Sequence, residues 1–296
     1  MVGDATGLKF VRLKLMTSEV YQVSSGERRR TGFVRSILLG LRTNSRLMLM
    51  LARRDIISQH RKSILGSLWI GLFPLLNVMV WVVLHSTGTF KPGDTGIPYP
   101  AFVLLGMSIW LFFIGYYQAM NGIFRKQAKM FLQIKVAPEV IIGYLVLVQS
   151  FSVAVFWIIA VIATLLYGVT IQPTTLLFPL VVLPLALMGT GTGLILSIMR
   201  VVAPDAFKIL DRLVELLLYA SPVLYGASIE SGLLQEVLRL NPLTYLIFSA
   251  RDVILTGSLL HAKAYAVCSA VSVVFFLLAL RFYYIGYPRM LERVAV

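Results

Sequence analysis

Cysteine is nearly absent from this chain. Cys268 stands alone, which excludes an intrachain disulfide framework and any cysteine-rich metal site. It falls inside an apolar run and reads as a small core or lipid-facing side chain. Histidine is equally scarce: His60, His85 and His261 are scattered and show no metal-ligand spacing. Charged residues make up 14% of the chain, against about a quarter in soluble domains. No Ser/His/Asp or Cys/His arrangement of a nucleophilic enzyme is visible. The run Gly189-Thr190-Gly191-Thr192-Gly193 lacks the Lys and Ser/Thr that complete a phosphate-binding loop. Gly189 and Gly193 instead give the small-x-x-x-small spacing of close helix packing. Acids are missing from the apolar runs; Glu215 is the one acid read as near a span, so no proton relay is visible.

What the chain has is apolar length. Hydrophobic residues make up 58% of it. Between Lys62 and Lys91 only His85 could ionise, which predicts a span over Ile64–Leu84. The uncharged stretch between Asp94 and Arg125 predicts a second, near Tyr99–Phe124. No Lys, Arg, Asp or Glu occurs between Glu139 and Arg200, too long a stretch for one span of about 20 residues. The turn at Gly168 and Gln172-Pro173 splits it into a hairpin, Val140–Tyr167 and Thr174–Met199. A short run over Leu213–Tyr225, containing Pro222, predicts a fifth span, and Ala264–Leu280 a sixth. In lipid these segments must be helices, because every backbone polar group needs an internal partner. The expected fold is an all-α integral membrane bundle of six transmembrane helices.

Positive charge orients the bundle. Six spans put both termini on one side, and that side carries 13 Lys/Arg before Ile64, four in 125–138, three in 200–212 and three after Leu280. The other side carries Lys91, Arg239 and Arg251, with Lys263 at the boundary. That asymmetry predicts cytoplasmic termini. The formal charge of +14 is then mostly a topology signal and not a nucleic-acid footprint. The first 62 residues lack the apolar core and cleavage site of a secretory signal peptide.

Three segments outside the spans stand out. Residues 1–32 read as a cytoplasmic extension. Residues 33–62 read as an interfacial helix: Arg35, Arg42, Arg46 and Arg53 fall on one face, and Phe33, Ile37, Leu41, Met48 and Leu51 on the opposite face, interrupted by Asn44. Such a helix anchors a protein in the headgroup plane and can also dock a cytoplasmic partner. The loop 125–139 is basic yet carries Met130, Phe131, Leu132 and Ile134. Two readings fit it, a short helix pressed on a partner and a second membrane-surface helix. Region 228–262 reads as two short amphipathic helices, Gly232–Leu240 and Leu243–Leu255, broken at Asn241-Pro242. They could gate an opening or simply fill the outer surface of the bundle.

Several of these residues resemble a known family. They are Arg54-Asp55, Arg61-Lys62-Ser63-Ile64-Leu65-Gly66-Ser67-Leu68-Trp69 with Pro74, and Tyr99-Pro100-Ala101-Phe102 with Gly106, Trp110 and Phe112-Phe113. They continue with Val136-Ala137-Pro138-Glu139, Asn241-Pro242-Leu243-Thr244-Tyr245 and Arg251-Asp252. Over roughly residues 33–285 the chain resembles the transmembrane permease of type-2 ABC exporters of lipid-linked polysaccharide. O-antigen permeases are the nearest kind, with capsule and teichoic-acid permeases as close relatives. The chain departs from the family at His60, where Tyr is common, and in its long N-terminal extension.

The resemblance implies a six-span type-2 ABC domain over 63–285, with a coupling helix in 125–139, periplasmic re-entrant or gate helices in 228–262, and a cytoplasmic tail over 286–296. It implies a permease in the bacterial inner membrane with no ATP site of its own. Two copies would work with two nucleotide-binding ATPase subunits, which bind the ATP and Mg, to move a polyprenyl-pyrophosphate-linked polysaccharide from cytoplasm to periplasm. Arg125, Lys126, Lys129, Phe131, Pro138 and Glu139 would then contact the ATPase. Arg53, Arg54, Arg61 and Lys62 would meet either the carrier's pyrophosphate or phospholipid headgroups. Trp110, Phe113, Tyr116, Tyr117, Tyr219 and Tyr225 are candidates for the sugar path, and Asn241, Pro242, Tyr245 and Arg251 for the outer gate. Tyr99, Tyr283, Tyr284 and Tyr287 read as interface-belt anchors. The competing readings are a type-2 ABC permease for a drug or simple lipid, and a membrane-embedded transferase.

Overall fold

The computed structural model describes residues 33–60, 68–126, 137–226 and 232–294. Among them there is no β-strand. The extension 1–32, Arg61 and Lys62, and most of the loop 125–139 lie outside the described residues.

Helices α1 (Phe33–Thr43) and α2 (Ser45–His60) form nearly one rod. Helical hydrogen bonding carries across Asn44, whose backbone N–H and side-chain amide both donate to the Gly40 carbonyl, at 3.1 and 2.9 Å. Ile37, Met48 and Ala52 are buried, while Arg35, Arg42, Arg46 and Arg53 are exposed. Val34, Leu38, Leu39, Leu49 and Met50 are exposed as well. An unburied apolar flank beside a basic stripe suits a helix lying in the headgroup plane.

The remaining helices are α3 (Leu68–Ser86), α4 (Tyr99–Asn121), the short α5 (Ile123–Lys126) and α6 (Pro138–Leu166). A 3-10 turn over Pro173–Leu177 leads through α7 (Phe178–Val181) into α8 (Leu183–Val202). Then come α9 (Pro204–Leu216), α10 (Gly232–Leu240), α11 (Pro242–Leu255) and α12 (Ala262–Val294).

Among the described residues, four segments are long and apolar enough to cross a membrane: Tyr99–Asn121, Pro138–Leu166, Pro173–Val202 and Ala262–Arg293. In an 18-residue apolar stretch of each, 78% and 72% of the residues of the first and third are buried within the chain, against only 28% and 22% of those of the second and fourth. Helices α4 and α8 are therefore the centre of the bundle, and α6 and α12 turn most of their apolar surface outward. Glycine makes the central contact possible. A β-carbon at Gly189 would stand 2.2 Å from the Phe113 carbonyl oxygen, and one at Gly193 2.6 Å from that of Tyr117. The glycine ridge of α8 thus lies directly on the α4 backbone, as the small-residue spacing predicts.

The expected fifth span takes another form. Helix α9 begins at Pro204, earlier than the apolar run over Leu213–Tyr225 suggests, and ends at Leu216; the chain then turns through 217–226. Charge hides this helix from a hydropathy reading, since it carries Asp205, Lys208, Asp211, Arg212 and Glu215. Ser221 to Gly226 are buried in protein, the condition under which irregular backbone is tolerated at membrane depth. The sixth segment also differs. Helix α12 runs past Leu280 and Pro288 to Val294. Tyr283, Tyr284 and Tyr287 are buried and do not form an interface belt. Tyr283 packs on Phe124 with ring centroids 5.7 Å apart, and Tyr284 on Phe33 at 5.4 Å. Tyr99 is buried too, 4.4 Å from the His85 ring.

The bundle has two distinct ends. At the basic end, α1, α2, the start of α6 and the last turns of α12 come together. At the distal end, the Gln172 N–H donates to the Ile254 carbonyl at 3.0 Å and the Gly226 N–H to the Pro92 carbonyl at 2.9 Å. These bonds join the loop before α4, the hairpin turn, the turn 217–226 and α11.

Candidate functional site

At the basic end, Arg53 and Arg54 are exposed on α2. Arg125 and Lys126 end the short α5, while Lys129 and Phe131 lie outside the described residues. Pro138 and Glu139 open α6, with Pro at the first helical position as expected of a helix start. Glu139 does not face outward. It is buried, and its Oε2 accepts a hydrogen bond from the Tyr284 hydroxyl at 2.8 Å. The carboxylate ties α6 to α12 beneath Gly40 of α1.

Along α4 the candidate aromatics are all interior: Trp110, Phe113, Tyr116 and Tyr117 are buried. Adjacent helix positions point about 100° apart at 3.6 residues per turn, so Tyr116 and Tyr117 serve different neighbours. Tyr116 pairs with the Ser150 hydroxyl of α6 at 2.7 Å. The Tyr117 hydroxyl donates to Asp211 of α9, and the Asn121 amide reaches the same carboxylate oxygen at 3.3 Å. Close by, the Arg200 guanidinium lies over the Phe207 ring, 4.1 Å from its centroid. Tyr219 is exposed, 6.0 Å from Trp81 between ring centroids. Tyr225 is buried and donates to the Tyr219 carbonyl at 2.7 Å. The six aromatics therefore do not line a single surface within one chain.

The distal end holds a polar network. Asn241 caps α11: its Oδ1 accepts from the Leu243 N–H at 3.0 Å, and its amide donates to the Ala220 carbonyl at 2.8 Å and to the Ser221 hydroxyl at 3.1 Å. Pro242 follows at the first helical position. Tyr245 donates to the Arg239 carbonyl at 3.2 Å, tying α11 to the end of α10. Arg251 is buried, and one terminal nitrogen donates to the Pro222 and Val223 carbonyls at 3.1 and 3.4 Å. Its guanidinium lies 3.9 Å from the Phe102 ring centroid, a cation–π contact of about 2 kcal/mol when desolvated. Burial pulls the Arg251 pKa down to about 10, which leaves it charged at neutral pH. Burial pushes the neighbouring Asp252 carboxyl above its usual range.

The hydropathy reading missed Asp211. Pro204 followed by Asp205 is a helix-start pattern. It marks α9 as beginning well before Leu213 and so brings Asp211 into the bundle. Phe102 and Asp252 carried no role in the sequence reading either. Among the described residues no group of three or more His, Cys, Asp or Glu could hold a metal ion.

Comparison with known proteins agrees with this architecture. Residues 46–255 match the family described as ABC-2 type transporter. The chain is 25% identical over 231 residues to the O-antigen export system permease protein RfbA of Myxococcus xanthus, covering 77% of this chain and 87% of that protein. It is 23% identical over 217 residues to the protein of the same name from Klebsiella pneumoniae, covering 72% of this chain and 82% of the relative.

Proposed function

This chain belongs to the ABC-2 type transporter family, and from that we propose that it is the permease subunit of an ATP-driven exporter of O-antigen polysaccharide. It is a multi-pass membrane protein and a transport component, not an enzyme. Two copies join two separate ATPase subunits, which bind the ATP and Mg. The cargo is a polysaccharide on a polyprenyl-pyrophosphate carrier, moved from cytoplasm to periplasm across the bacterial inner membrane with both termini cytoplasmic. The observation that carries this reading is the similarity to two O-antigen export permeases over most of both chains. The exposed arginines of α1 and α2 support the orientation.

The roles of individual residues follow from the same reading. Arg125, Lys126, Lys129, Phe131 and Pro138 contact the ATPase, while the buried Glu139 holds the start of α6 against α12 behind that contact. Arg53, Arg54, Arg61 and Lys62 meet the pyrophosphate, for which arginine forks are well suited. Asn241, Pro242, Tyr245 and Arg251 shape the outer gate.

The test has two parts. Tagged protein is drawn from its native membrane in mild detergent, and whatever accompanies it is identified by mass spectrometry. Surface polysaccharide is measured in cells with and without the gene. A near-stoichiometric nucleotide-binding subunit, with polymer lost from the surface and retained inside the deletion strain, is the expected result. An intact, monodisperse protein that comes down alone, or unchanged surface polymer, would overturn the proposal.

A further inference from the structure

We infer that an apolar groove at the basic end of each chain holds one acyl chain of an anionic phospholipid, whose headgroup meets arginines at the groove's lips. The inference needs only that the chain lies in a membrane, and it is independent of the cargo.

The groove has a volume of about 170 Å³ and runs between α1, the start of α6 and α12. Val34, Leu38 and Leu41 line it from α1, Gly143 from α6, and Phe276 and Leu277 from α12. These side chains can be reached from outside: Leu38 is 60% exposed, Val34 49% and Leu277 38%. The accessible wall is entirely apolar. Glu139 also borders the groove, yet it is buried and its Oε2 is taken by the Tyr284 hydroxyl at 2.8 Å. The Phe33 ring packs on Tyr284 at 5.4 Å between centroids and holds α1 against α12 there.

Charge selects the occupant. Arg35 precedes Leu38 by three residues and Arg42 follows it by four, so both are its neighbours on the α1 surface. Arg281 follows Leu277 by four residues and adjoins it in the same way on α12. All three arginines are exposed. Helix α1 carries no acid, and α12 none before Glu292. An apolar slot flanked by guanidinium groups matches a hydrocarbon chain that ends in a phosphate, because arginine forks hydrogen-bond phosphate oxygens. Pockets that enclose a drug-sized ligand measure roughly 300–1,000 Å³, so this smaller groove takes one chain and leaves the rest of the lipid in the bilayer. Each basic side chain beside an anionic surface raises affinity about fivefold, which sets an anionic headgroup above a zwitterionic one. The bound lipid fastens α1 to α12.

Photolabelling of the full chain in phosphatidylcholine nanodiscs tests this. The discs carry a trace of phosphatidylglycerol with a diazirine in its acyl chain, or the matching diazirine phosphatidylcholine, and labelled residues are mapped by mass spectrometry. Phe151, Ile158 and Ile162, exposed on α6, report ordinary lipid contact. The expected result is that the glycerol lipid labels 34–41 and 276–280 above those three positions, and above the choline lipid. Unlabelled phosphatidylglycerol should compete the label away, with its potency falling about tenfold in the Arg35→Gln, Arg42→Gln double variant. Leu38→Trp keeps every arginine but fills the mouth of the groove, and it should also lose the label. Both variants change exposed side chains, and melting curves verify that they fold. Groove labelling no stronger than on α6, or equal for the two headgroups, overturns the inference. So does wild-type labelling in both variants. Stronger competition by polyprenyl phosphate than by phosphatidylglycerol assigns the groove to the carrier, and an unlabelled groove means that protein covers it; either result overturns the inference too. None of these outcomes touches the export reading, which stands or falls on the pull-down and the surface polymer.

Discussion

The Tyr117 hydroxyl of α4 donates to the Asp211 carboxylate of α9, and this bond joins the centre of the bundle to a helix that carries five charged residues, Asp205, Lys208, Asp211, Arg212 and Glu215. Interhelical hydrogen bonds within a membrane contribute about 0.6 kcal/mol on average and up to about 1.7. Tyr117→Phe should therefore lower stability by about 1 kcal/mol, and Asp211→Asn by a similar amount. Melting of the single and double variants in one detergent provides the check. Strictly additive losses would show that the two side chains act independently.

Gly189→Ala should destabilise far more than its single methyl suggests. The new carbon would stand 2.2 Å from the Phe113 carbonyl, which is backbone and cannot rotate away. Forced overpacking costs about 1–3 kcal/mol. Gly232→Ala is the control, because nothing lies within 4 Å of its added carbon. Thermal melting should separate the two variants by several degrees.

The two functions of Asn241 can be separated. Asn241→Asp keeps the acceptor that caps α11 but loses the amide that holds the Ala220 carbonyl and the Ser221 hydroxyl. Asn241→Ala loses both, at about 1 kcal/mol for the cap alone. Hydrogen exchange should show the turn 217–226 loosened in both variants. The Leu243 amide should be exposed only in Asn241→Ala.

Asp252 should impose a pH dependence with a definite sign. Burial raises its folded pKa above the unfolded one, so the folded chain binds the proton more readily. Between the two values, wild-type stability rises as pH falls. Arg251 and His261 face this carboxylate, and both pull its pKa back down. Asp252→Asn cannot take up the proton, so the wild type should gain stability relative to this variant on going from neutral pH toward the ordinary carboxylate range. Melting of both proteins across that range reads the difference; a constant offset would mean that Asp252 titrates normally.

Apolar run length marked α4, the α6–α8 hairpin and the first part of α12, because lipid demands long uncharged helices. The Asn241-Pro242 break and the capping chemistry around it were equally legible, since an N-cap is a local signal. Helix α9 was read wrongly for the opposite reason. Its Asp211 accepts hydrogen bonds from Tyr117 and Asn121 of α4, and other charges pair along the helix, Lys208 with Asp205 and Arg212 with Glu215; hydropathy averaged over a window cannot see a partner elsewhere in the chain. The buried tyrosines of α12 failed in the same way. An aromatic residue near a predicted span end looks like a belt anchor until another helix is known to cover it.

The sequence alone determined that the chain is a helical membrane bundle, where its hydrophobic segments fall and which end carries the positive charge. These are properties of consecutive residues. The tertiary structure decided that Glu139 turns inward to Tyr284, that Tyr117 meets Asp211, and that Arg251 locks the turn 217–226 against Phe102. Such contacts depend on how each helix is rotated about its axis and on which helix stands opposite. Residues about a hundred positions apart are brought within hydrogen-bond reach only when the bundle closes.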